Sequence, residues 1–207
     1  MSTLVKICGL KTPDAMTAAL EEGADFIGLV FHPASPRNVE IEVAAYLASY
    51  VPETTKIVGL FVDPGDKTLA EILGNVRLDM IQVHGAETPE RIEDIKSKFG
   101  KSVIKSLGIS TVVDVAGIKD YEQAADWILL DSRGGGTGKS FDWKLLDGMT
   151  FTKPWMLAGG LTPGIVGGAI KRLKPDAVDV SSGVESTRGV KDPDKIRAFI
   201  RTAKAAV

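Results

Sequence analysis

The chain has 207 residues, 44% of them hydrophobic and 25% charged, which is the composition of an ordinary globular protein. A formal net charge of -2 argues against a nucleic-acid-binding protein, which needs a clustered basic face. The single cysteine excludes an internal disulfide, and neither a signal peptide nor a bilayer-length apolar run is visible, so we expect a cytoplasmic protein without membrane contacts.

Short β-rich runs alternate with amphipathic stretches along the whole chain. The predicted strands are Leu4–Cys8, Asp25–Phe31, Lys56–Val62, Asp79–His84, Ser102–Leu107, Trp127–Asp131, Trp155–Ala158 and Ala177–Val180. The predicted helices are Pro13–Glu22, Glu40–Tyr50, Asp66–Gly74, Pro89–Phe99, Val112–Ala125, Trp143–Gly148, Pro163–Leu173 and Pro193–Ala206. Eight strands alternating with eight helices predict an α/β fold, a single-domain (βα)8 TIM barrel over residues 1–207. An open, doubly wound sheet is the alternative, and it usually has fewer strands at this length.

Two helix starts carry a local signal. Thr12-Pro13 and Thr162-Pro163 each place a capping hydroxyl before a proline, which is favoured in the first turn of a helix. We therefore predict that both threonines cap the helices that follow them.

Two reactive side chains end predicted strands at the carboxyl face of the barrel, where barrel enzymes carry their active sites. Cys8 ends the first strand. A lone cysteine is more often a small buried residue, but a thiolate at this position can act as a general base. Asp131 ends the sixth strand, after two leucines, and is either a cap or surface carboxylate or a general acid with a raised pKa.

Glycine-rich turns follow the seventh and eighth strands. Gly159-Gly160 and Ser181-Ser182-Gly183 lie in the two loops that commonly bind phosphate in such barrels, because their backbone N–H groups can approach an anion. The run from Gly134 to Ser140 resembles a P-loop but lacks its spacing. The loop Arg133–Ser140 reads as a lid over the ligand or as an ordinary flexible connection.

Four further side chains are candidates for the site. Arg37, in a loop stiffened by two prolines, can grip a carboxylate with its forked guanidinium or can simply be solvated. His84 is either a substrate contact or a hydrogen-bonded strand-end histidine. Strand alternation points Lys6 and Asp179 inward with Cys8, so we predict an interior ion pair between them.

The ordered set of motifs from Lys6 to Glu185 resembles the phosphoribosylanthranilate isomerase family. The motifs are Lys6-Ile7-Cys8-Gly9, His32-Pro33 with Ser35-Pro36-Arg37, Leu60-Phe61-Val62, Gln82-Val83-His84-Gly85, Leu130-Asp131-Ser132, Gly135–Gly138 with Phe141-Asp142-Trp143, Leu157–Leu161 and Asp179–Glu185. Each motif is weak alone, but their order is specific to that family.

The resemblance implies an Amadori rearrangement in tryptophan biosynthesis, with Asp131 as general acid and Cys8 as general base. It implies that Arg37 holds the anthranilate carboxylate and that the Gly135–Gly138 loop closes over the substrate. No metal or organic cofactor is expected, and the expected partner is a small phosphorylated substrate, bound by a monomer or a homodimer. The candidate substrate-binding residues are Arg37, His84, Gly135, Gly136, Gly138, Gly159, Gly160, Asp179, Ser181, Ser182 and Gly183.

The sequence leaves three alternative functions open. The analogous barrel of histidine biosynthesis typically has aspartate where Cys8 stands and consists of two similar halves, which are not visible here. A Schiff-base aldolase would want a lysine where Asp131 stands, and Lys105 is the one lysine expected to point inward. A binding protein without catalysis could keep the glycine loops but would have no reason to retain both Cys8 and Asp131.

Overall fold

Eight parallel strands form a closed barrel, with β1 paired to both β2 and β8. The computed structural model describes residues 3–133 and 140–206. The strands are β1 Leu4–Cys8, β2 Phe26–Val30, β3 Lys56–Phe61, β4 Met80–Val83, β5 Ser102–Ile109, β6 Trp127–Ser132, β7 Trp155–Leu157 and β8 Ala177–Val180. The predicted (βα)8 TIM barrel is confirmed, and the predicted strand ends agree with these to within two residues.

Helices surround the barrel. They are α1 Pro13–Glu21, α2 Ile41–Ser49, α3 Asp66–Asn75, α4 Pro89–Phe99, α5 Val112–Ala116, α6 Ile118–Glu122, α7 Val166–Leu173 and α8 Pro193–Lys204. As predicted, the Thr12 hydroxyl caps α1 by accepting a hydrogen bond from the Ala15 N–H, with Pro13 in the first turn. None of the helices within the described ranges has the length and apolarity that crossing a bilayer would require.

Three helix predictions were wrong in detail. The stretch Val112–Ala125 forms two short helices that meet at Gly117, a residue that disfavours a helix interior. The stretch Trp143–Gly148 contains only a 3-10 helix, Trp143–Leu146. Thr162 does not cap α7, because its carbonyl accepts the N–H groups of Ile165 and Val166 in a turn that precedes the helix.

Two apolar layers follow from strand alternation. One fills the barrel interior; its members are Phe26, Val58, Met80, Ile104, Leu129, Met156, Ala158 and Ala177. The larger layer lies between the strands and the helices and includes Val5, Ile7 and Val83. At the carboxyl ends of the strands, residues on the interior side point into the mouth of the barrel. This arrangement positions the side chains of the site.

A short antiparallel hairpin follows β8 and was not predicted. A 3-10 helix, Ser182–Val184, leads into its strands β9 Glu185–Thr187 and β10 Val190–Lys191. At the hairpin turn, Gly189 has φ +84°, and an added Cβ would lie 2.9 Å from the Pro36 carbonyl oxygen. The hairpin therefore packs closely against the loop that follows β2, at one side of the mouth.

Candidate active site

A cavity of about 1220 Å³ opens at the carboxyl end of the barrel. Nine of the predicted site residues line it: Cys8, Arg37, His84, Asp131, Gly160, Asp179, Ser181, Ser182 and Gly183. Gly159 is packed directly against the end of β6. Its φ is +84°, and an added Cβ would lie 2.7 Å from the Ser132 nitrogen. The predicted lid glycines Gly135, Gly136 and Gly138 lie outside the described residues. No group of three or more His, Cys, Asp or Glu side chains in residues 3–133 and 140–206 could hold a metal ion.

Cys8 lies beside a buried ion pair between Lys6 and Asp179. The Lys6 ammonium donates to Asp179 Oδ1 at 2.8 Å inside the barrel, which confirms the predicted interior pair. Burial raises the pKa of the Cys8 thiol, while the positive charge of Lys6 opposes that rise. Gly28 leaves room for the sulfur, because a Cβ there would lie 2.8 Å from Sγ. The thiol is thus held in a tight space next to a fixed cation.

Asp131 is a buried carboxyl group with a raised pKa. Burial, followed by the negative charge of Asp179, raises its pKa to about 6. The Ser132 N–H opposes this shift by donating to Oδ1 at 2.7 Å. A carboxyl group with this pKa can keep a proton near neutral pH and release it to a substrate.

His84 faces Asp131 across the mouth, with Nε2 3.9 Å from Oδ2. Burial lowers the pKa of the imidazole, which favours its neutral form. The Gln82 amide nitrogen lies 3.4 Å from Nδ1, and the Ser106 hydroxyl lies 3.4 Å from Nε2. With the amide donating to Nδ1, the imidazole proton resides on Nε2, the nitrogen nearest to Asp131.

Arg37 is held in place rather than solvated. Its Nε and one terminal nitrogen donate to the two carboxylate oxygens of Glu185 at 2.6 and 3.0 Å. Lys191 donates to Glu185 Oε1 at 2.9 Å and to the Ser181 hydroxyl at 3.1 Å. Burial raises the pKa of Glu185, but hydrogen bonds from Arg37, the Gly189 N–H and Lys191 more than offset burial and hold it at about 2. Because a guanidinium has five N–H donors, Arg37 keeps donors for a ligand after binding Glu185.

The loops after β7 and β8 meet in one corner of the cavity. An added Cβ at Gly183 would lie only 1.8 Å from the Leu161 carbonyl oxygen, so only glycine permits this contact. Gly160, with φ +64°, lies in the neighbouring loop. Gly160, Thr162, Ser182 and Gly183 all line the cavity here. Small residues leave the backbone N–H groups accessible, an arrangement that suits an anion.

Lys105 does not point inward, so the expectation of an inward lysine on β5 was wrong. Its neighbours Ile104 and Ser106 face the interior and the cavity, and alternation therefore directs Lys105 toward the helices. Its ammonium bonds Glu87 and lies 5.4 Å from the centre of the Tyr121 ring. No Schiff base with a substrate in the cavity can form at this lysine.

Several roles were not foreseen from sequence. Gln82 and Glu185 belong to the motifs, but nothing in them indicated a contact with His84 or with Arg37. Ser106 could have been found, because it shares the inward face of β5 with Ile104. Lys191 carried no signal, since it belongs to the unpredicted hairpin.

Comparisons with known proteins agree with this geometry. Residues 5–202 match the family model described as N-(5'phosphoribosyl)anthranilate (PRA) isomerase. The chain is 50% identical to the N-(5'-phosphoribosyl)anthranilate isomerase of Paramagnetospirillum magneticum, with 99% of this chain and 98% of the relative covered. The structure is similar to phosphoribosyl anthranilate isomerase from Thermotoga maritima, with a TM-score of 0.90, 37% identity and coverage of 98% and 99%.

A second solved structure of the same kind contains a ligand. It is a phosphoribosyl anthranilate isomerase in complex with reduced 1-(o-carboxyphenylamino)-1-deoxyribulose 5-phosphate. The TM-score is 0.86 at 35% identity, and the match covers 98% of this chain and 99% of the other.

Proposed function

The chain belongs to the N-(5'-phosphoribosyl)anthranilate isomerase family, and on that premise we propose which of its residues perform the isomerisation. The enzyme acts in tryptophan biosynthesis on a phosphorylated small molecule and converts an N-linked aminoaldose into an aminoketose. No atom is lost: hydrogen moves within the sugar, so the reaction needs one acid and one base. We assign the enzyme to the cytoplasm, in keeping with its single free cysteine.

Asp131 is the general acid. In its protonated form it gives its proton to the ribose ring oxygen; the bond from that oxygen to the anomeric carbon breaks, and the amine nitrogen forms an iminium. Support comes from the pKa of about 6, which keeps part of this carboxyl group protonated near neutral pH. The neutral imidazole of His84 lies beside it and adds no positive charge that would favour the carboxylate.

Cys8 is the general base. Its thiolate removes the proton from the sugar carbon next to the iminium, giving an enolamine that tautomerises to the ketone. The Lys6 ammonium opposes the cost of forming a thiolate in this buried position. Cys8 and Asp131 come from β1 and β6, which are separated by β7 and β8 around the barrel, so a sugar can lie between them.

The two ends of the substrate are bound by different corners of the cavity. The anthranilate carboxylate accepts hydrogen bonds from the donors that Arg37 keeps beside Glu185. The phosphate binds the backbone N–H groups of Gly160, Ser182 and Gly183. The Gly135–Gly138 loop remains proposed as the lid.

A single observation carries this assignment: one cavity holds a buried carboxyl group with a raised pKa and a buried thiol beside a fixed cation. The test is turnover of phosphoribosylanthranilate, followed by the loss of anthranilate fluorescence, for the wild type, Cys8→Ala and Asp131→Asn. We expect each variant to lose at least about 10²–10⁴-fold in kcat. Binding of the reduced product analogue, measured by calorimetry, should stay within about threefold, because neither side chain holds the phosphate or the carboxylate.

Loss of analogue binding together with turnover would instead assign these residues to binding. A wild type that binds the analogue without turnover would make the chain a non-catalytic binding protein.

A further inference from the structure

Lys105 and Glu87 form a second buried ion pair, which the reaction described above does not use. Lys105 Nζ donates to Glu87 Oε2 at 2.7 Å, and both side chains are only 2% exposed. The pair lies behind the cavity wall, under the loops that follow β3 and β4.

The pair holds the residue next to His84 by both of its backbone groups. The Gly85 N–H donates to Glu87 Oε2 at 2.9 Å, and the Gly85 carbonyl accepts from Lys105 at 2.7 Å. Because Gly85 follows His84 directly, these bonds fix the backbone from which the imidazole projects toward Asp131.

Glu87 also connects the loop after β3 to the same cluster. Its Oε1 accepts the Asp63 N–H at 2.8 Å, and Asp63 Oδ1 in turn accepts the Ala86 N–H at 2.7 Å. Asp63 has φ +46°, a conformation that costs free energy in any residue other than glycine. A Cβ on Gly85 would lie 2.3 Å from Asp63 Oδ1, so the two loops are in direct contact.

A contribution to the free energy of unfolding does not by itself explain why an ion pair is buried here. Replacing a buried ion pair by apolar residues of similar volume is often neutral or stabilising, because the cost of removing two charges from water can exceed the gain from their attraction. What the pair supplies here is geometry, since one carboxylate and one ammonium together fix two loops and the histidine between them.

We propose that the Lys105–Glu87 pair is a positioning pair for the isomerisation, which holds His84 in the orientation that keeps Asp131 an effective acid. This inference rests on the proposed function of Asp131. The histidine is held mainly through its backbone, since its own side-chain contacts are long, at 3.4 Å to Gln82 and to Ser106. A shift of about 1 Å in a positioned group can reduce a rate by about a hundredfold.

The test variant is Lys105→Met/Glu87→Gln, which removes both charges together and leaves neither buried alone. We expect kcat to fall by about ten- to a hundredfold while KM stays within about threefold, because the anion-binding corners are untouched. Lys105→Gln/Glu87→Gln is the second variant, in case the methionine variant does not fold. It keeps a donor near the Gly85 carbonyl, and we expect it to lower kcat by about three- to tenfold.

The control is Lys96→Met/Asp126→Asn, which also removes one positive and one negative charge, but from a partly exposed pair. It removes an ion pair of 2.8 Å that connects α4 to the start of β6 at the amino end of the barrel. This control should keep wild-type kcat and KM, even if its melting temperature falls.

The decisive readout is a cycle with His84→Asn. If the pair acts through the imidazole, Lys105→Met/Glu87→Gln should change kcat by less than about twofold once His84 is absent. The proposal is overturned if the pair variant keeps wild-type kcat, if its loss multiplies in full on the His84→Asn background, or if the control variant loses as much. An active Asp131→Asn variant would overturn the proposed function itself, whereas an inactive one beside an active pair variant would overturn only this inference.

Discussion

Four aspartates at the amino end of the barrel and Asp131 at its carboxyl end have opposite roles. At the amino end, four aspartates each precede an even-numbered strand and accept the N–H of the odd-numbered strand before it, at 2.8–2.9 Å. These pairs are Asp25 with Val5, Asp79 with Ile57, Asp126 with Val103, and Asp176 with Trp155. The four contacts satisfy backbone donors at the ends of strands and so stabilise the fold.

At the carboxyl end, the Asp131 carboxylate instead accepts the N–H of the adjacent Ser132, within its own strand. It is buried at the cavity wall, near the negative charge of Asp179, and its pKa is about 6. The comparison teaches that position decides the role of these five residues: the four amino-end aspartates each join two strands, whereas Asp131 is buried where it can carry chemistry, at a cost in stability.

Substituting one aspartate at each end of the barrel, in separate variants, should distinguish the two roles most strongly. We expect Asp131→Asn to lose about 10²–10⁴-fold in kcat and to remain folded. We expect Asp79→Ala to keep wild-type kcat but to lose about 1–3 kcal/mol of unfolding free energy, because the Ile57 N–H loses its acceptor. Turnover assays and urea denaturation measure the two effects. An Asp79→Ala variant with low activity in its folded fraction would contradict the division of roles.

The stability cost of Asp131 should depend on pH. An acid whose pKa is higher in the folded than in the unfolded protein destabilises the folded state once the pH exceeds the unfolded value, and here the pKa rises from 3.8 to about 6. Asp131→Asn should therefore be more stable than the wild type by up to about 3 kcal/mol near pH 8, with the difference vanishing near pH 3. Urea denaturation at both pH values checks this. A variant that is equally stable, or less stable, near pH 8 would show that the ionised Asp131 carboxylate does not destabilise the folded protein.

Arg37 should discriminate between ligands with and without a carboxylate. We expect Arg37→Ala to raise KM for phosphoribosylanthranilate by about ten- to a hundredfold, through the loss of a charged hydrogen bond. Ribose 5-phosphate, which lacks the carboxylate, is the control ligand, and its inhibition constant should change by less than about twofold. Equal weakening for both ligands would show that Arg37 acts on the whole cavity through Glu185 and the hairpin.

Much of the barrel could be predicted because strand alternation and chain order determine it. Alternation pointed Lys6, Cys8 and Asp179 inward, and its place at a strand end put Asp131 at the mouth. In the structure Cys8, Asp131 and Asp179 line the cavity, and Lys6 is buried beneath them, paired with Asp179. It was misapplied to Lys105, which is odd-numbered on β5 and therefore faces the helices, away from Ile104 and Ser106.

What the sequence could not provide were contacts between distant loops. Arg37 and Glu185 are 148 residues apart, and no local pattern indicates that they pair. The hairpin β9–β10 is too short to show a strand pattern, so Lys191 escaped notice. The hydrogen bonds that hold Gly85 likewise depend on the loops after β3 and β4 meeting Lys105 of β5 in space.

The pH dependence of kcat/KM tests the central claim most directly, that Asp131 is the acid and Cys8 the base. Catalysis needs Asp131 protonated and Cys8 ionised, although the pKa of Asp131 is about 6 and that of the buried Cys8 thiol is raised above its ordinary value. The account predicts that kcat/KM rises tenfold per pH unit up to about pH 6, is flat above it, and falls only beyond the pKa of Cys8. In Asp131→Asn the break near pH 6 should disappear, and the residual activity should continue to rise up to the pKa of Cys8. A wild-type profile that rises through pH 6 without a break would contradict the account, because the titration of Asp131 would then have no effect on the reaction.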